Sequence, residues 1–552
     1  MKIASITTLA LLVATTWSAT NAAESRISFR EMNLPFEMPD IELPVIPAKD
    51  FRITDFGAAG DGLTDNTAAF AAAIDEASRQ GGGRIIVPQG LWLTGPILFK
   101  SHIELHVVHG AIVLFTPDKS KYPIIKTIYE GYEHARHTSP LHADGVTDIA
   151  ITGGGLFDGN GEVWRQLKRD QLTESEWKRK TSRGGLLSDD GKYWYPSENF
   201  KKGYEARAPG TFPPFPVEEI SDFLRPVMVK IIRCQRVLFD GPSFYNSPAW
   251  NIHPVLTEHL VIRNIRVKNH DWATNGDALD IESCRCVLVE ENMLSAGDDA
   301  LCLKSGRDED GRRRGMPTEK VVIRRNMIFQ GHGGVVIGSE MSGSVRDIYA
   351  ADCQFSATDT GLRFKTARGR GGVVENIWIE RIAMTDIAKA AVTVSMFYHG
   401  KPQEKSDLRP EGIAEPVTEG TPVFRNIHLS DIRCSGADVA IEIDGLAESR
   451  LEKMTIERSS LHTGRLWRCS NAAQLTLRDV KFKSSSDKPM FEFFDASDIV
   501  CERVEVQGKT PLRIEVAGPR SSNIVFTQGL AGTNPRVNFT EGASKEALVM
   551  RQ

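Results

Sequence analysis

The chain has 552 residues, 41% apolar and 25% charged, an ordinary composition for a folded protein with a large core. It excludes a mostly disordered chain, and at about 150 residues per domain it leaves room for three or four domains. Lys+Arg 67 against Asp+Glu 72 gives a net charge of −5, which argues against a nucleic-acid binder.

Residues 1–23 read as a secretory signal peptide. Lys2 supplies the positive start, Leu9 to Val13 are apolar, and small residues end the segment at Ala22 and Ala23. The apolar run is too short to span a bilayer, and no later run reaches the required length of about 20 residues. No membrane span is expected, and the mature chain is expected in the periplasm or outside the cell. Residues 24–50 are punctuated by proline and expected to be extended. Asp65 to Ser78 has helical character with Thr64 or Asp65 as its cap, and Arg84 to Val87 turns to strand. A helix there would cover the end of whatever stack of strands follows.

One pattern then recurs: apolar, any, apolar, any, any, small or apolar, any, apolar. It starts at Ile149 and returns at Val237, Leu260, Val287, Val321, Ile348, Ile377, Ile427, Met454, Leu475, Ile499 and, more weakly, Ile524. Most spacings are 21 to 29 residues, with longer gaps of 88 before Val237, 34 before Val321 and 50 before Ile427. Alternation broken by a short turn means short strands with one buried face. Such a unit cannot bury that face alone, but stacked copies can. The expected fold is an all-β parallel solenoid of one domain over 51–552, with an N-terminal capping helix. Asn292 and Asn326 share a slot in successive coils and read as a turn ladder rather than as catalytic groups.

Residues 162–226 break the repeat and form a long insertion. They hold Trp164, Trp177, Tyr193, Trp194, Tyr195 and Tyr204, and Thr173 with Glu176 suggests a helix start with a capping box. The eight cysteines include no CxxC pair, so a zinc cluster is not expected. Cys353, Cys434 and Cys501 fall at or beside apolar strand positions and read as core residues.

Three neighbouring coils hold the chemistry: NGDALDIESC (275–284), AGDDALCLKSG (296–306) and GHGGVVIGSEMSG (331–343). Aligned on the strand after each polar cluster, Asp277 and Asp299 share one slot, and Asp298 and His332 the preceding one. Adjacent parallel strands lie about 4.8 Å apart, so three carboxylates and an imidazole gather on one face. In the next coil, GLRFK puts Arg363 and Lys365 on the same stretch. Taken singly, each has a bland reading as a turn Asp, a structural His or a solvated cation. Jointly, crowded carboxylates should retain a proton near neutral pH, which suits acid–base cleavage of a glycosidic bond. The cations suit an anionic substrate.

At these residues the sequence resembles glycoside hydrolase family 28, the polygalacturonases. The motifs are Asn275-Gly276-Asp277, Gly297-Asp298-Asp299, Gly331-His332-Gly333 and Arg363-Phe364-Lys365, in family order; Gly276 stands where many members carry Thr. The opening DFGAAGDGLTD is also similar, so the resemblance runs over about residues 50 to 500. It implies a right-handed parallel β-helix that hydrolyses α-1,4-galacturonic acid linkages of pectin with inversion, without cofactor or metal. Asp298 would be the general acid, Asp277 and Asp299 would activate water, and His332 would tune the acid's protonation. Arg363 and Lys365 would hold a galacturonate carboxylate, Tyr398 would stack on the sugar, and His253 in AWNIHP is a further candidate. The 162–226 insertion and KSGRDEDGRRRG (304–315) look like those of exo-acting members. A solvated loop is the bland reading of Arg312, Arg313 and Arg314. Two alternatives stay open: a pectate lyase on a similar solenoid, which the Gly-His-Gly motif argues against, and a non-catalytic sugar-binding solenoid, which would not need the clustered acids.

Overall fold

In a computed structural model, residues 25–207, 212–398, 413–530 and 534–551 are described. The expected signal peptide lies outside these residues. The alternating segments form parallel strands stacked coil on coil into one 14-stranded and one 27-stranded sheet, with the apolar rows turned inward. The sequence repeat is the spatial register. Ile149 pairs with Val237, Val237 with Leu260, and the ladder continues through Val287, Val321, Ile348, Ile377, Ile427, Met454, Leu475, Ile499 and Ile524. It also extends beyond the pattern at both ends, to Ile103 and to Leu548.

The N-terminal helix α1 (Thr67–Arg79) buries Phe70, Ala73, Ile74 and Ala77 against the first coils and covers the apolar end of the stack. It starts two residues later than expected. Asn66 occupies the cap position but makes no cap bond; its side chain instead accepts from Ala59 N–H at 2.8 Å and donates to the Leu93 carbonyl at 3.1 Å. Asp65 does the capping, accepting from Thr67 N–H at 2.9 Å.

The segment expected to be extended folds back on itself. Arg26–Ile27 pairs antiparallel with Ile41–Glu42, and Phe29 and Ile41 pack on Val261, Leu288, Val322 and Tyr349. Those four occupy successive rungs on the outer side of the larger sheet, so the strap covers an apolar stripe that water would otherwise meet. The asparagine ladder is present: Asn292 donates to Asn326 Oδ1 at 2.9 Å, and its own Oδ1 accepts from Ile265 N–H at 3.0 Å. All eight cysteines are buried free thiols.

The insertion carries α2 (Glu174–Thr181), opened by the expected capping box of Thr173 and Glu176, and a second helix not expected from sequence, α3 (Glu198–Glu205), capped by Ser197. Its aromatics mostly build its own core: Tyr195 and Phe200 pack with Ile220, Phe223 and Leu224, and Trp177 packs with Leu167 and Trp272. Beside it stands an antiparallel hairpin, Ile124–Tyr129 with Tyr132–His137, that the repeat pattern did not signal.

Candidate active site

The site lies on the 14-stranded sheet. Its strands are β1 (Ile252–Val255), β2 (Leu279–Glu282), β3 (Asp299–Lys304), β4 (Gly333–Gly338), β5 (Thr360–Lys365) and β6 (Ala390–Ser395). Leu279 pairs with Leu301 and Asp299 with Gly333, which sets Asp277 beside Asp299 and Asp298 beside His332, the slots expected from alignment. One oxygen from each of Asp277, Asp298 and Asp299 falls within 4.8 Å of the others.

Their surroundings differ. Asp277 and Asp299 are 3% and 1% exposed, whereas the side chains of Asp298 and His332 keep 24% and 45%. Asp298 therefore meets the solvent side of the pocket while the other two form its floor. His332 Nδ1 stands 2.9 Å from Asp298 Oδ1. The hydrogen bond to Asp298 lifts the imidazole above its ordinary 6.5, against the opposing effect of burial. Burial pushes Asp298 upward, but the His332 hydrogen bond and charge outweigh it and hold this carboxyl below the ordinary range. Asp277 moves the other way: burial first, then the neighbouring Asp280 and Asp298 charges, drive it well above the usual carboxylate value. Of the three clustered acids, Asp277 is thus the one whose surroundings favour the protonated form. The Asp298–His332 contact favours a charged imidazole beside a carboxylate anion.

Arg363 and Lys365 are both there, but they face Asp299. Arg363 Nη1 lies 3.2 Å from its Oδ1 and Lys365 Nζ 2.5 Å from its Oδ2. Their strand is not adjacent to that of Asp299; β4 lies between. Gly338 stands opposite Lys365 in that strand, and a Cβ on Gly333 would lie 3.4 Å from Arg363 Cβ and Cδ. Tyr398 covers them, its ring centroid 4.7 Å from Lys365 Nζ and 5.5 Å from Arg363 Cζ.

Other expectations change. His253 is fully buried, with Nδ1 2.7 Å from Lys230 Nζ and Nε2 2.8 Å from Glu282, so it belongs to a packed relay behind the site and touches no substrate. Burial drops its imidazole to about 3, keeping it neutral. The 304–315 segment forms α4 (Asp308–Arg314) and is not simply a solvated loop. Arg314 bonds Glu282 at 3.0 Å and Arg312 bonds the Gly369 carbonyl at 2.6 Å, while Arg313 alone of the three is largely exposed.

The pocket also takes in residues that motif reading missed: Trp250, Lys304, Glu340, Arg307, Glu130 from the hairpin tip and Arg207 from the insertion. Lys304 bonds Glu340 at 3.1 Å, stands 3.4 Å from the buried Asp280 and sits 4.3 Å over the Trp250 ring. Burial raises Asp280 to about 7 against the pull of Lys304. A signal for Lys304 existed: Glu282, Lys304, Gly338 and Lys365 share one outward row. Glu130 and Arg207 had none, because neither belongs to the repeat.

A solenoid face with a clustered carboxylate triad, an Asp–His pair and paired cations defines a glycosidase of the parallel β-helix class. The comparisons agree. The model of glycosyl hydrolases family 28 matches residues 222–501, and that of rhamnogalacturonase A/epimerase, pectate lyase-like proteins matches 51–106. The chain is 29% identical over 425 residues to a probable polygalacturonase of Vitis vinifera, spanning 75% of this chain and 74% of the relative. It is 28% identical to an exo-poly-alpha-D-galacturonosidase of Dickeya chrysanthemi, spanning 72% and 64%. Among solved structures, a hyperthermoactive exopolygalacturonase of Thermotoga maritima superposes with a TM-score of 0.64 at 35% identity, over 77% of this chain and 89% of that one. The chain belongs to glycosyl hydrolases family 28, and its fold is that family's right-handed parallel β-helix.

Proposed function

We propose that this chain is an exported hydrolase of α-1,4-linked polygalacturonate that works with inversion and releases short products from a chain end. The observation that carries the reading is the Asp277–Asp298–Asp299 cluster within 4.8 Å, with Arg363 and Lys365 on one flank. The exopolygalacturonase likeness at 35% identity supports the substrate.

In this reading a sugar bound over the Asp298–His332 pair excludes water, and loss of solvation disfavours separated charges. The proton then passes from His332 Nδ1 to Asp298, which donates it to the glycosidic oxygen as the bond breaks. Water attacks the anomeric carbon and gives its proton to Asp299, while Asp277, itself protonated, orients that water. Asp299 has lone pairs to spare, because Arg363 and Lys365 each use one oxygen. The closest carboxylate oxygens are nearer than the separation of roughly 6.5–9.5 Å usual for inverting pairs. Inversion is favoured by the surroundings: burial and neighbouring charges push Asp277 toward its protonated form, and Asp299 is held by two cations, so neither is a free nucleophile. A lyase would need an arginine base and calcium, yet Arg363 is tied to Asp299 and a divalent ion there would meet two cations.

The exo mode is supported by residues from outside the repeat: Glu130 of the hairpin tip, Arg207 of the insertion and Arg307 before α4 all line the pocket that holds the three aspartates. The test is to incubate the protein with polygalacturonate and follow product size and viscosity together. One- or two-residue products from the start, with slow loss of viscosity, are expected. A rapid viscosity drop would overturn the exo mode, and ultraviolet-absorbing unsaturated ends would overturn the hydrolase.

A further inference from the structure

Arg363 and Lys365 are both hydrogen-bonded to Asp299, but the pocket has another buried guanidinium, Arg307, with a donor left unpaired. Arg307 follows β3 and is 7% exposed. Its Nε has no hydrogen-bond partner. Its acidic neighbours stand only at ion-pair distance: Asp308 at 3.7 Å, Glu340 at 3.9 Å and Glu130 at 4.0 Å. The Tyr132 ring lies 5.3 Å from its Cζ. The hairpin tip is built to touch it: Gly131 has φ +81°, and a Cβ there would come within 2.6 Å of the Arg307 backbone nitrogen. Arg207 reaches the same corner and bonds Glu130 at 3.0 Å. Both arginines line the pocket that holds the three aspartates.

A guanidinium carries five donors in a planar fork that matches a carboxylate. Leaving them unmade in a buried place is costly, so a group held this way is set for an acceptor that enters the pocket. We infer that Arg307 is a specificity-determining residue that binds the carboxylate of the terminal galacturonate in this corner of the pocket, with Arg207 beside it. The inference rests on the exo-hydrolase reading and deepens it: the end sugar itself must be an acid, and Arg363 and Lys365 serve a different sugar across the bond that breaks.

The experiment compares trigalacturonate with the same trimer methyl-esterified only at its non-reducing terminal carboxyl. Wild type should prefer the acid in kcat/KM by about 10- to 100-fold, the range for hydrogen bonds to a charged group. In Arg307→Gln the ratio should fall toward one, chiefly through KM on the acid, with little change on the ester. Arg307→Lys, which keeps the charge but not the fork, should retain part of the preference. If Arg307→Gln does not fold, Arg207→Gln on the more exposed insertion replaces it and should lower the ratio partially. Absence of polygalacturonate hydrolysis by the wild type overturns the hydrolase reading and this inference with it. An active wild type with no preference for the acid, or with a ratio unchanged in the folded variants, overturns this inference alone.

Discussion

His332 is joined to Asp298 twice: its Nδ1 lies 2.9 Å from Asp298 Oδ1, and its backbone N–H donates to the Asp298 carbonyl at 2.7 Å. The second bond belongs to the chain turns beside β3 and β4, so the coil stack itself sets the imidazole against the acid. That arrangement makes the proton of this pair the natural reporter of the site.

The pair has a definite pH window. His332 is raised above 6.5, so its contribution is complete below the ordinary histidine value and is lost as pH rises through its folded value. Asp298 is lowered from 3.8, so its contribution is present above that value and is lost as pH falls through its folded one. kcat/KM should therefore fall on a basic limb lying above 6.5, and His332→Ala should abolish that limb as well as reduce activity. A pH profile in which the basic limb persists unchanged in the variant would separate His332 from the proton.

Asp298→Asn should fold and bind substrate while losing about 10²–10⁴ in kcat, the usual worth of a positioned proton donor. The Asp298 side chain is 24% exposed, so the amide leaves no large buried defect. Thermal melts and oligogalacturonide titration check the first half, and turnover checks the second. A folded variant with near wild-type turnover would remove Asp298 from the acid role.

Water attack opposite the leaving group should release the β-anomer from an α-linked chain. Proton NMR of the earliest product decides this before mutarotation. Initial α-anomer would make one of the floor carboxylates a nucleophile, which the close spacing of their oxygens would then explain.

Lys365→Ala should cost more than substrate affinity. Lys365 is 4% exposed and shares with Arg363 the neutralisation of Asp299, which is 1% exposed. Arg363 still faces Asp299 after the change, so urea unfolding should shift by less than the about 3–5 kcal/mol of a fully broken buried pair, while kcat falls with it. Lys365→Ala and Asp299→Asn combined should lose less stability than the two changes separately, since the uncompensated charge is gone. Additive losses would mean that the two side chains do not act as a pair.

The repeat alone determined the coil stack, because in a parallel solenoid equal sequence position is equal spatial position. Ile149 through Ile524 could be aligned by eye, and the same alignment put Asp277 beside Asp299 and Asp298 beside His332. Three things needed the tertiary structure. Lys365 reaches Asp299 across a whole intervening strand, a contact that strand register alone does not give. Glu130 and Arg207 enter the pocket from a hairpin and an insertion that follow no period, so no alignment could place them. Asp277 is pushed up and Asp298 down, because burial and neighbouring charge, not residue type, set the order in which like acids ionise.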